Sequence, residues 1–376
     1  MKKEWQTKKL VDVATLQRGF DLPTQDRLSG DVPLVTSCGI SDTHNKSAVR
    51  GPGVATGRSG SIGNVFFIEE DFWPLNTVLY VKDFHGNDPR FVFHLLKNFD
   101  LKRFASGSGV PTLNRNFVHD ELVNVPPLPE QQRIVGILDE AFDSIATAKA
   151  NAEKNLDNAR AIFESHLQSV FTQGGEGWEQ KTLGDLATFR NGINYTKDSK
   201  GERIKIVGVR NFQKHFSAPL DDLDTVTIDG KLSELDSLKK DDILAVRSNG
   251  NIELIGRCIL VGEVTEKISH SGFTIRIRPS NGSVIPKYVC HFMKSAGSRK
   301  LLTEGGTGTN IKSLNQGMLS ALAIPFPPIA AQKVLVEQLE SLSEETHRLK
   351  SIYQQKLAAL EALKKSLLHQ AFSGQL

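Results

Sequence analysis

Two arginine-led loops carry the residues best suited to recognition chemistry: residues 58–63 (RSGSIG) and residues 247–256 (RSNGNIELIG), each after a β-like run. Arginine presents a rigid fork that pairs bidentately with guanine in the major groove or with phosphate, and Ser and Asn contact either base edges or backbone. Glycine lets such a loop approach its ligand closely. A polar β-turn whose arginine makes a local salt bridge is the plainer alternative, and recurrence of the loop favours a shared role. A second pair, residues 106–115 (SGSGVPTLNR) and 304–313 (EGGTGTNIKS), exposes backbone N–H groups and small hydroxyls that could grip phosphate, helped by Arg115 or Lys312. A connector role stands beside that reading. No Gly precedes Lys312, so the nucleotide-binding pattern GxxxxGK[ST] is not met.

Catalytic patterns are missing. The chain has no HExxH, no GxSxG, no kinase signature and no paired-carboxylate pattern beyond chance. Asn124-Val125-Pro126-Pro127 is not the Asn-Pro-Pro-aromatic motif of amino-methyltransferases, and Asp198-Ser199-Lys200 has nuclease-like spacing without a supporting acidic residue. Cys38, Cys258 and Cys290 lie far apart in sequence with no CxxC and no His at ligand spacing, which indicates neither a zinc site nor a disulfide framework and suggests reduced core residues. The sequence thus reads as a binder that does no chemistry itself.

The elements that must position these loops occur twice. Trp5, Lys8, Leu10, Asp12, Ala14, Thr15 and Gly19 reappear as Trp178, Lys181, Leu183, Asp185, Ala187, Thr188 and Gly192. FVFHLLK from Phe91 reappears as YVCHFMK from Tyr288, and PPLPEQ from Pro126 as PPIAAQ from Pro327. The offset grows from 173 at the tryptophans to 189 at Arg58 and Arg247, then 197 and 201, and stays at 201 to Phe171 and Phe372. About 28 residues have therefore entered the front of the second copy, while the helical tails match without a gap. Two copies imply approximate two-fold symmetry and suit a partner with two halves, of which duplex DNA is the commonest.

Each tail predicts a long helix of about 42 residues, roughly 63 Å. Ile134, Leu138, Phe142, Ile145, Ala152, Leu156, Ala159, Phe163 and Val170 form one apolar stripe. Leu335, Leu339, Leu342, Thr346, Leu349, Tyr353, Leu360, Leu363 and Leu367 fit heptad positions in the other. The two are expected to pair antiparallel within the chain. The modules themselves mix strands (VFFI from Val65, VLYV from Val78, ILAV from Ile243, CILV from Cys258, FTIRI from Phe273) with helices near 90–99 and 287–296. The expected fold class is α+β: two similar α/β target-recognition domains, 1–128 and 173–328, separated by spacer helices 129–172 and 329–376 that form an intramolecular coiled coil with pseudo-two-fold symmetry. With 24% charged and 39% hydrophobic residues, wholesale disorder is excluded. A net charge of +3 is compatible with a polyanion but weak evidence alone. No apolar leader or span is evident, which suggests a cytoplasmic protein without membrane contact.

These features together resemble the specificity (S) subunit of Type I restriction-modification enzymes: a Trp-x-x-x-x-Leu-x-Asp opening, an RSG-type loop, a Gly-x-Gly turn, PPLPEQQRIV and a long helix, all twice. The second copy departs, PPIAAQKVLVEQLE lacking the Glu, which leaves a different helix start open there. The resemblance implies a non-catalytic subunit in which each domain reads one half of a split double-stranded DNA site, the helices set the spacing, and two M (methyltransferase) and two R (ATP-dependent endonuclease) subunits are recruited. AdoMet, ATP and magnesium would belong to those partners, and this chain would hold no cofactor or metal. Carried onto this sequence, the RSG-type loops nominate Arg58, Ser59, Arg247 and Ser248, with Asn249 and Asn251 beside them. Ser61, Asn114, Arg115 and Lys312 complete the expected DNA-binding set. The competing readings are the specificity protein of a Type IIB-like methylation defence system and a coiled-coil protein-binding scaffold.

Overall fold

The computed structural model describes residues 5–107, 111–212, 216–280, 282–304 and 313–376. The chain divides into two units, one of residues 1–153 with 354–376 and the other of residues 154–353. Both are built on the same plan.

In the first unit a four-stranded antiparallel sheet runs in the order Thr15–Arg18, Val78–Asp83, Gly53–Gly57, Val65–Ile68. In the second the order is Ala187–Asn191, Thr274–Pro279, Ile243–Val246, Cys258–Leu260, the same positions of the repeat. Beside it each unit carries a three-stranded sheet: Gly39–His44, Val32–Thr36 and Trp73–Pro74, matched by Asp224–Thr227, Arg203–Val207 and Ile268–His270, with the last pair parallel in both. A two-stranded ribbon, Gln6–Lys9 with Leu122–Val125 and Glu179–Thr182 with Ala323–Phe326, closes each module at the foot of its long helix.

The unbroken apolar runs that mark the central strands have a physical cause. Successive side chains of a strand point to opposite faces, and both faces here are covered. Ile243 and Ala245 enter one core with the helix Pro286–Lys294, while Leu244 and Val246 enter another with Phe212 and Ile268. Leu79 and Val81 likewise face the core of helix Pro89–Asn98, and Val78 and Tyr80 face a smaller one around Phe72. The expected strand at FTIRI begins one residue late, at Thr274, and leaves Phe273 exposed.

The long helices are Leu128–Gln173 and Ile329–Ser373. Each contributes one end to each unit. In the first unit Arg133 donates to the Leu376 carbonyl, Lys364 sits over the Phe142 ring and Lys149 pairs with Glu361 at 2.8 Å, so the two segments run antiparallel. Ile134, Leu138, Leu368 and Ala371 bury there, and Leu167, Phe171, Val336 and Leu339 do so in the second unit. Leu363, expected in the apolar seam, is 47% exposed. The inward positions of that stretch are Leu357, Leu360, Lys364 and Leu367, because the seam takes a step of four where unbroken heptad counting places Leu363. The Lys364 stem snorkels over Phe142 instead.

Both helices start at matching residues despite the altered motif in the second copy. The invariant feature is a buried glutamine. Gln131 accepts from the Asp88 backbone N–H at 2.9 Å and donates to the Pro126 carbonyl at 2.9 Å. Gln332 accepts from Ile285 N–H and donates to the Pro327 carbonyl at the same distances. Among the described residues the Glu130 side chain pairs with its neighbour Arg133 alone, so its absence from the second copy removes a local pair rather than a tertiary one. Of the cysteines, Cys38 is exposed rather than in the core, and Cys258 and Cys290, remote in sequence, lie with Sγ atoms 4.0 Å apart.

Candidate nucleic-acid interface

The two arginine loops are held by one backbone scheme. Arg58 N–H and Ser59 N–H both donate to the Thr77 carbonyl, at 2.9 and 3.2 Å, and Leu113 N–H donates to the Arg58 carbonyl at 2.8 Å. In the second unit Arg247 N–H and Ser248 N–H donate to the Phe273 carbonyl, at 2.8 and 3.3 Å, and Leu314 N–H donates to the Arg247 carbonyl at 2.8 Å. Each loop is closed by a left-handed glycine, Gly63 (φ 84°) or Gly256 (φ 76°), whose N–H returns to the residue before the arginine. Fixing the backbone this way leaves the side chains free to vary. That separation is what a recognition loop requires, since contacts can change while the frame persists.

Side chains then diverge. Arg58 Nη1 donates to the Asn76 carbonyl at 3.1 Å, and Asn76 donates through its amide to Asp21, which accepts from Arg18 at 3.0 Å. Ser61 Oγ lies 3.4 Å from Cys38 Sγ. Asn249 accepts from Asn251 N–H, and Asn251 caps the turn Ile252–Leu254 by accepting from Glu253 N–H. Both asparagines therefore shape their loop, Asn251 exposed and Asn249 half-buried.

Asn114 caps the short helix Arg115–His119, accepting from Asn116 N–H at 3.1 Å. Its counterpart is Asn315, which accepts from Met318 N–H at 2.9 Å ahead of Gln316–Ser320. The described ends of these segments, from Thr112 and Ser313 onward, are thus aligned at an offset of 201, three residues from the pairing read in sequence, and Arg115 corresponds to Gln316. The repeated Leu-Asn pair, Leu113-Asn114 and Leu314-Asn315, carried that signal. Lys312 lies outside the described residues.

Three residues beside the loops were not singled out by sequence: Arg18, Asn76 and Phe273. Arg18 lines the same concavity as Arg58 and Arg115. Phe273 is 61% exposed at the position of Thr77, where an aromatic face could meet a base or a thymine methyl group. The Asp198-Ser199-Lys200 triplet forms a turn, Ser199 Oγ and Lys200 N–H both donating to Asp229. Among the described residues, no cluster of three potential metal ligands occurs and no helix is long and apolar enough to cross a membrane.

Deep in the second unit lie two histidines whose protonated forms are disfavoured. Burial lowers His270 to about 3, with Arg276 adding repulsion, and lowers His291 to about 4, with Lys294 and Lys287 contributing. Both are 1–2% exposed. His270 Nδ1 lies 2.9 Å from Thr274 Oγ1.

A protein-family model described as Type I restriction modification DNA specificity domain matches residues 2–156 and 175–361. Similar curated proteins include the Type I restriction enzyme StySPI specificity subunit of Salmonella potsdam, 25% identical over 77% of this chain and 65% of that protein. The EcoKI specificity subunit of Escherichia coli K12 is 24% identical over 54% of this chain and 44% of its own length. The chain thus spans less than two thirds of either relative. Among solved structures, a chain from a study of complex assembly and conformational transition of the type I R-M system superposes with a TM-score of 0.78 at 16% identity, covering 100% of this chain and 99% of that one. The HsdS subunit from Thermoanaerobacter tengcongensis gives 0.64 at 16% identity, covering 100% and 98%. At such identity the likeness is one of fold.

Proposed function

This chain belongs to the Type I restriction modification DNA specificity domain family, and on that basis we propose that it is the sequence-specificity subunit of a Type I restriction-modification complex. Each unit reads one half of a bipartite double-stranded DNA site, and the long helices set the spacing. The observation that carries this reading is the shared backbone scheme of the arginine loops, which presents Arg58 and Ser59 in one unit as it presents Arg247 and Ser248 in the other. Asn249 and Asn251, with Ser61, Asn114 and Arg115, extend the two surfaces, and Lys312 is a further candidate from the sequence alone. The chain itself is non-catalytic and cytoplasmic. Two M subunits supply methylation with AdoMet, and two R subunits supply ATP- and magnesium-dependent cleavage.

Arg247→Ala tests the assignment of one half-site to each unit. A bidentate arginine–guanine contact discriminates by about 1–3 kcal/mol. Single-molecule methylation mapping in the host should show relaxed sequence in one half of the motif and none in the other. Change in both halves, or in neither, would remove the assignment.

A further inference from the structure

The concavity beside the first arginine loop gathers three cations. Arg18, Arg58 and Arg115 line it together with Ser106, Thr112 and Asn114, and none of its lining among the described residues is acidic. The arginines come from three separate segments: the edge strand Thr15–Arg18, the loop after Gly53–Gly57, and the first position of the helix Arg115–His119. Grouping like charges around one opening is unfavourable unless an anion occupies it. Arg58 is oriented by its bond to the Asn76 carbonyl. Among the described residues Arg18 pairs with Asp21 through Nη2, an exposed pair that contributes little. Arg115 is exposed.

Among the described residues, the second unit does not repeat this grouping. Gly19 N–H donates to the Val78 carbonyl as Gly192 N–H does to the Thr274 carbonyl, which makes Asn191 the counterpart of Arg18. With Arg247 for Arg58 and Gln316 for Arg115, one arginine of the three remains.

We infer that the concavity is a phosphodiester site for the DNA backbone, present in the first unit and without two of its three arginines at the equivalent positions of the second. This rests on the DNA-reading function proposed above and adds the ligand of one pocket to it. A guanine edge offers two acceptors and is satisfied by a single fork, whereas a phosphate presents charged oxygens to several forks at once. The first unit therefore supplies more of the sequence-independent grip, and the second relies more on contacts to bases.

The test uses the full chain assembled with its methylating partner and a labelled duplex carrying the methylated motif mapped in the host. Affinity is measured across salt concentration for the unsubstituted chain, Arg18→Gln, Arg115→Gln and Gln316→Arg. Each lost phosphate contact should lower the slope of log K against log salt by about 0.9, with the methylated motif unchanged. Gln316→Arg should raise the slope by a similar amount, and it carries the test if a loss variant fails to fold. An unchanged slope in all three, or an altered motif after Arg115→Gln, would overturn the phosphate site. Absence of salt-dependent DNA binding by the unsubstituted complex would instead overturn the function on which the site rests.

Discussion

His291 places an imidazole where neither ring nitrogen has a hydrogen-bond partner among the described residues, against Phe216 at 4.6 Å between ring centroids. Its equivalent in the first unit, His94, bonds Asp139 at 2.9 Å. An unfolded histidine takes up a proton below about pH 6.5, whereas folded His291 resists until about 4 and His270 until about 3. The unfolded state therefore binds more protons as pH falls through that window, and the second unit loses stability on acidification, by about 1.4 kcal/mol per pH unit for each histidine. Thermal melts at pH 7 and 5.5 should show a smaller drop for His291→Phe than for the unsubstituted chain, and equal drops would refute the mechanism. The paired glutamines make an opposite case. Gln332→Leu strands the Ile285 N–H and the Pro327 carbonyl, each unmade bond costing about 1–3 kcal/mol, while Glu130→Ala should stay within about 0.5 kcal/mol. Urea unfolding separates the two, and a neutral Gln332→Leu would deny the glutamine its structural role.

The short helices and central strands were legible because their apolar runs and their proline starts are local signals, as Pro89 and Pro286 at the first turn illustrate. The topology of the two sheets was not, since pairing such as Leu34 with Trp73 joins residues that no periodicity connects. The arginine loops were legible as a pair, but Arg18 and Asn76 beside the first loop and Phe273 beside the second are brought there by the fold and not by sequence proximity. The ends of the glycine-rich segments pair three residues away from the sequence reading, because a run of small residues aligns almost equally well in several registers and lets the register slip before the Leu-Asn pair. Leu363 shows the limit of heptad counting: composition fits the seam, and the position does not. Replacing it with Gln should change stability by less than about 0.5 kcal/mol, whereas Leu368→Ala, at 8% exposure, should cost about 2–5 kcal/mol. Circular dichroism melts that ranked Leu363 as the costlier site would restore the heptad register.

Both long helices pass from one unit to the other, so each unit contains two helical segments that are remote in sequence. Their lengths, 46 and 45 residues, are matched although the modules differ by an insertion of about 28 residues. Surface loops accept insertions at small cost, because each doubling of a loop adds only about 0.6 kcal/mol of closure entropy. A helix that sets a distance cannot accept one without consequence. If spacing between half-sites is the function that holds these lengths equal, inserting one heptad at matching points of both helices adds about 10 Å, or about three base pairs at 3.4 Å each. Methylation mapping should then recover both half-sites unchanged in sequence with the unread gap lengthened by about that number. A heptad in one helix alone breaks the match between the segments, and the purified chain should melt at lower temperature than with both insertions. An unchanged gap with both half-sites still methylated would mean that the helices join the units without measuring the DNA between them.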